Sequence, residues 1–153
     1  MDVESRLREL GLTLPSPPAP VAAYVPFVRS GAQLHVSGQV SRHPDGRVLK
    51  GRLGQDMDQA QGAEAARSCA LQLLAQVRAA TEGDWGRLVR AVKLTGFVAC
   101  APHFDQQPAV VNGCSELLVA ALGEAGRHAR SAVGVAALPL GAAVEVEALF
   151  ELR

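Results

Sequence analysis

The chemistry in this sequence is gathered near its C-terminal end. Arg130 enters "ARSAVGVAA" (129–137), a stretch otherwise made of small and apolar side chains with one serine, and Glu145 and Glu147 follow in the next stretch of that kind. A guanidinium stays charged and holds a carboxylate through two parallel hydrogen bonds, so an arginine among small side chains can seat the acid group of a small molecule. The same residues have a plainer use: Arg130 paired with Glu145 or Glu147 would brace a sheet or an interface. His128, two residues before Arg130, could share its cleft as a proton shuttle, but nothing in the sequence fixes a partner for the ring, and we read it as a histidine at a strand entry.

Both stretches alternate with period two, as strands do. Along 129–137, Val133, Val135 and Ala137 fall on one face, which we assign to the helices, while Arg130, Ala132, Gly134 and Ala136 fall on the other. Along 143–152, Val144, Val146, Ala148 and Phe150 alternate with Glu145, Glu147, Leu149 and Glu151. A sheet face that mixes a cation, carboxylates and small or apolar side chains needs cover, and the apolar members favour another subunit.

The remaining elements follow from the same periodicities. Val3, Leu7 and Leu10 share a face of a short helix that Gly11 would end, and four prolines between Leu14 and Tyr24 make an extended arm. Strands are predicted over Ala23–Arg29 and Gln33–Val40, the second with Leu34, Val36, Gly38 and Val40 on one face. "HPDGR" (43–47) is a turn, after which Val48 and Leu49 begin a short return strand. Asp58 and Gln61 have the spacing of a capping box for a helix over Asp58–Ala80, with Ala63, Ala66, Cys69, Ala70, Leu73, Leu74 and Val77 as its apolar stripe. A strand over Val89–Ala99 reads as covered on both faces, and Pro108 opens a second helix striped by Val111, Cys114, Leu118 and Leu122 and stopped at Gly123. The order predicts an α+β fold, a mixed sheet with two helices packed on one face.

Composition narrows the function. The 153 residues are 48% hydrophobic and 20% charged, which suits one domain over 1–153, with 1–22 as the helix and proline-rich arm and 23–153 as the core. Fifteen basic and fifteen acidic residues leave no net field for nucleic acid, and aromatic residues at 4% leave few stacking platforms for a single strand. No run approaches the roughly 20 apolar residues of a membrane span, and the charged start "MDVESRLREL" lacks a secretory pattern, so the cytoplasm is the expected compartment. Cys69, Cys100 and Cys114 are expected as reduced core residues. His35, His43 and His103 lack metal-ligand spacing, Ser37 lacks a nucleophile elbow, and "GRLGQD" (51–56) lacks the lysine of a phosphate loop. Trp85 and Phe97 read as core or interface anchors.

"YVPFV" at Tyr24, "LHVSGQV" at Leu34, "GAEAARSCALQLLAQV", "VKLTGFVA", "AVVNG" and "ARSAVGVAALPLGAAVEVEALFEL" together resemble the RidA, or YjgF, family of reactive-intermediate deaminases, from Tyr24 to the end and in the same order. The resemblance implies a chorismate-mutase-like α+β fold, a homotrimer, and ligand clefts between subunits. It makes Arg130 the grip for a substrate carboxylate, Glu145 the residue that places the attacking water, and Tyr24, Ser37, Gly38, Asn112 and Ala132 cleft-lining positions. The implied reaction is hydrolysis of an enamine or imine such as 2-aminoacrylate to a 2-keto acid and ammonia, with no metal or organic cofactor; a non-catalytic trimer binding small carboxylates is the alternative, and an endoribonuclease the less favoured one. Ala132 stands where many relatives carry cysteine, and "GEAGRHARS" replaces an aromatic-proline step, which marks a divergent branch.

Overall fold

The computed structural model describes residues 2–17 and 23–153. In chain order the elements are Val3–Glu9 (α1), Phe27–Ser30 (β1), Gln33–Val40 (β2), Gln59–Ala80 (α2), Leu88–Ala99 (β3), Gln107–Leu122 (α3), Ala129–Val135 (β4) and Val144–Leu152 (β5). The strands form one mixed sheet in the order β1-β2-β5-β3-β4, in which β3 and β4 run parallel and the other neighbours run antiparallel. The parallel pair needs a crossover, and α3 supplies it.

Local chemistry accounts for the helices. Asp58 accepts from the Gln61 N–H at 2.8 Å and Gln61 Oε1 accepts from the Asp58 N–H at 2.9 Å, so the predicted capping box starts α2. Cys69, Ala70, Leu73, Leu74 and Val77 are wholly buried, as are Val111, Cys114 and Leu118 of α3. α2 and α3 lie against each other so closely at Gly113 that a Cβ there would stand 2.7 Å from the carbonyl carbon of Ala63. α1 adds a third helix to the layer: Val3 and Leu7 are buried, and the Arg6 guanidinium donates to the Ala121 carbonyl of α3 at 3.4 Å.

Four expectations are corrected. Leu10 is 45% exposed because it caps α1 rather than continuing its apolar face. β1 is shorter than Ala23–Arg29, since pairing with β2 begins at Phe27, after Pro26, which has no N–H to give. Val48 makes a single bridge to Arg42 and no strand, and the following loop is instead held by the buried Ser41 hydroxyl, which donates to the Leu49 carbonyl at 2.7 Å. In β2 the alternation breaks: Val36 is paired with Ala148 and Gln39 with Val146, so Ser37 and Gly38 stand opposite Glu147 alone. That bulge turns Gln39, 7% exposed, into the core and moves Val40 off it. Of the proline arm, residues 18–22 lie outside the described residues, and 12–17 form no regular element.

Candidate functional site

Register decides which way Arg130 points. It pairs with Leu94 of β3, which pairs in turn with Ala148 of β5, and both of those are buried under the helices. Residues side by side in a sheet share a face, so Arg130, Ala132 and Gly134 lie beneath α3. Val133 pairs with Phe97 and through it with Glu145, and is 43% exposed on the opposite face. The expectation that Val133 and Val135 meet the helices is therefore reversed. β4 is an edge strand reached through a parallel pairing, and the α3 side chains that meet it include the polar Gln107, Asn112 and Ser115, so its own apolar alternation misleads.

Under α3 the Arg130 fork meets three acceptors. Its Nη1 donates to Asn112 Oδ1 at 2.9 Å and to Ser115 Oγ at 3.1 Å, and its Nη2 donates to the Pro108 carbonyl at 3.2 Å. A guanidinium has five N–H donors, so the Nε hydrogen and one on Nη2 remain, and these lie on one edge of the fork. No carboxylate pairs with it: the ion pairs among the described residues are Arg47 with Asp45, Arg78 with Glu4 and Arg127 with Glu124. The bracing pair with Glu145 or Glu147 does not form in this chain. Ala132 shares the Arg130 face and packs at the margin of the core.

Glu145 belongs to the other face of the sheet. The bulge at Ser37 and Gly38 brings β2 against it, and a Cβ on Gly38 would overlap Oε1 and stand 2.9 Å from Cδ of Glu145. Partial burial, together with the neighbouring Glu147 charge, raises the Glu145 carboxyl above its usual range. Ser37 donates its hydroxyl to the Val25 carbonyl at 2.7 Å and its N–H to the Pro26 carbonyl at 2.9 Å, which ties the strand to the exposed Tyr24 segment. Beside them is a depression of about 340 Å³ lined by Ser37, His35, Lys93, Thr95 and Glu147.

The predicted site residues thus fall into two sets. Arg130, Asn112 and Ala132 lie on the helix side of β4; Tyr24, Ser37, Gly38 and Glu145 gather around the open side of β2 and β5. One chain does not bring the two sets together. Of the other candidates, His35 faces solvent beside Gln33, His43 and His103 are exposed, and Trp85 is core, its indole N–H donating to Glu4 at 3.4 Å. The segment 51–56 is a turn that buries Leu53. Cys69 and Cys114 are buried, and burial pushes the Cys114 thiol up to about 12; Cys100 is half-buried. No group of metal ligands occurs among the described residues, and none of their helices is long and apolar enough to cross a membrane.

Two residues were missed or set aside by sequence reasoning. Ser115 was not singled out, although it stands three residues after Asn112 and so on the same helix face. His128 is not a bare surface ring: its Nε2 lies 3.0 Å from Ser115 Oγ and its Nδ1 lies 2.6 Å from the Gly126 carbonyl.

Comparison with known proteins places this geometry. The family described as "YjgF/chorismate_mutase-like, putative endoribonuclease" matches residues 4–152. Protein TCP17 of Trypanosoma cruzi is 50% identical over 152 residues, covering 99% of this chain and 94% of that protein. The crystal structure of Atu1372 from Agrobacterium tumefaciens, a protein of unknown function, superposes with a TM-score of 0.93 at 48% identity, covering 99% of this chain and 92% of that one. RidA from an Antarctic Psychrobacter superposes with a TM-score of 0.55 at 29% identity, covering 90% and 94%.

Proposed function

This chain belongs to the YjgF/chorismate mutase-like family, and from that premise we propose that it hydrolyses carboxylate-bearing enamines or imines, of which 2-aminoacrylate is the simplest, to 2-keto acids and ammonia. The observation that carries this reading is the half-used guanidinium of Arg130, which has three hydrogen bonds to α3, two donors to spare on one edge and no carboxylate partner. A substrate carboxylate fits that edge. The second half of the chemistry needs a base or a water-placing group, and Glu145 supplies a carboxylate whose proton affinity is raised by partial burial and by the Glu147 charge.

In the reaction, an enamine first tautomerises to its imine. Water adds to the imine carbon as one of its protons passes to Glu145, which returns it to nitrogen to give a carbinolamine; the carbinolamine hydroxyl then passes its proton through the same carboxylate to nitrogen as the C–N bond breaks, and ammonia leaves the keto acid behind. The imine carbon is already electrophilic, so positioning and partial desolvation are what the protein must contribute. Because Arg130 and Glu145 occupy opposite faces of one sheet, we assign the cleft to adjoining copies in a homotrimer, with Asn112 and Ala132 from one chain and Tyr24, Ser37 and Gly38 from its neighbour as walls. Cover by a neighbour also answers the exposed Val28 and Val133 on the open face.

The test is keto-acid release from 2-aminoacrylate generated in the assay. Arg130→Ala is expected to lower the rate by at least about 100-fold, the range for loss of a principal electrostatic contact, while the oligomer persists; undiminished turnover would overturn the reading. A second reading, binding of small carboxylates without turnover, follows from the departures from the RidA pattern at Ala132 and in "GEAGRHARS" (123–131). Pyruvate binding with no acceleration across a panel of imines would select it.

A further inference from the structure

The hydrogen bonds around Arg130 run in a direction that donor and acceptor chemistry determines. The Gly126 carbonyl can accept but not donate, so His128 Nδ1, 2.6 Å away, carries the hydrogen. In a neutral imidazole Nε2 is then bare and must accept, so the Ser115 hydroxyl donates to it across 3.0 Å. With its hydrogen committed there, Ser115 Oγ turns its lone pairs toward Arg130 Nη1 at 3.1 Å. Partial burial, opposed by the Gly126 hydrogen bond and aided by the Arg130 charge, lowers the proton affinity of His128 below the ordinary value of 6.5, in the direction that favours this neutral form.

Each link therefore constrains the next. An isolated serine hydroxyl could rotate to several acceptors; this one is held by a ring that is itself oriented by backbone. Asn112 Oδ1 takes the other Nη1 hydrogen at 2.9 Å and Pro108 takes one from Nη2. Without Ser115 the Nη1 end loses one of its two acceptors and the fork can swing toward solvent, since Arg130 is half-buried.

We propose that Ser115 and His128 are positioning residues for this site: the chain Gly126 carbonyl, His128 imidazole and Ser115 hydroxyl locks the Arg130 fork against α3 so that its Nε and outer Nη2 hydrogens are presented together to a carboxylate. The proposal rests on the reading of Arg130 as a carboxylate grip and adds the residues that set its orientation. Neither Ser115 nor His128 touches the ligand; both act through Arg130.

The experiment combines two measurements on the full chain, the arginine side-chain NMR signals of Arg130 and titration with pyruvate. Ser115→Ala is expected to average the Arg130 Nη signals that restricted rotation keeps apart, and to weaken pyruvate binding about 10-fold, the worth of one charge-assisted hydrogen bond. Ser115→Thr, which returns a hydroxyl at that position, restores both. His128→Gln, which can still accept from Ser115, stays near wild type, whereas His128→Ala resembles Ser115→Ala. In turnover, KM rises for the alanine variants while kcat changes little, a split that a merely structural role would not produce. Unchanged Arg130 signals and pyruvate affinity in Ser115→Ala overturn the proposal and leave the carboxylate reading standing. Averaged signals in Ser115→Ala, with wild type binding no pyruvate, would uphold the positioning chain and overturn the carboxylate reading instead.

Discussion

The two sides of the sheet are finished to different degrees. Beneath α3, Arg130 is held by three acceptors from one helix, all supplied by its own chain. On the open side, Glu145 has a close neighbour in Gly38 and a like charge in Glu147, but no hydrogen-bond donor among the described residues. The first half is oriented by contacts within one chain; the second, in the function proposed above, is completed by a neighbouring copy. A cation is inexpensive to hold at the margin of a helix layer that offers carbonyl and amide oxygens, whereas an unpaired carboxylate on a sheet face is held against its own solvation.

The largest expected effect separates a cleft between chains from a cleft within one. Arg130→Ala and Glu145→Gln should each lose turnover alone, yet refolding them together should restore about a quarter of wild-type activity, because in a random mixture one site in four joins an intact arginine to an intact glutamate from different chains. No recovery in a mixed oligomer would place both groups in one chain's own site and dissolve the contrast.

Two glycine substitutions sharpen it further. Gly113→Ala drives a methyl into the backbone of Ala63 where α2 and α3 cross, and backbone between packed helices cannot yield, so a loss of about 2–4 kcal/mol in unfolding free energy is expected by denaturant titration. Gly38→Ala adds the same methyl against the far end of the Glu145 side chain, which can swing away. Stability should change by less than about 1 kcal/mol, while turnover falls about 10-fold as Glu145, the proposed water-placing group, moves. Equal activity in Gly38→Ala would remove Glu145 from the chemistry.

The smallest effect is in pH. The Glu145 carboxyl binds its proton more tightly folded than unfolded, so its contribution to stability falls as pH rises from about the unfolded value of 4.5 through the raised folded one, and is constant above that. Glu145→Gln should match wild type at low pH and exceed it at pH 7, by less than about 1 kcal/mol since the group is half in solvent. His128 runs the other way: its folded proton affinity is lowered, so stability is full above 6.5 and declines as pH falls below it. His128→Gln should flatten that decline.

Much of the layer was legible in the residues, because helix and strand periodicities and caps are local. Asp58 with Gln61, the stripe from Cys69 to Val77, Pro108 at the start of α3 and Gly123 at its end each act within a few residues. β5 was legible for a similar reason: flanked by β2 and β3 and buried on one side, it alternates cleanly, and Glu145 was placed on its open face. β4 was not. Its apolar residues, Val133 among them, face outward, and the small ones lie under α3, so the alternation indicated the wrong side.

The sequence by itself therefore determined most of the elements and the α+β layer, since these depend on neighbours along the chain. Tertiary structure decided which face carries Arg130, how the bulge at Ser37 and Gly38 meets Glu145, and that Ser115 and His128 join the arginine. Those facts depend on register between strands distant in sequence and on a helix laid across an edge, and a one-residue slip in pairing turns every side chain over.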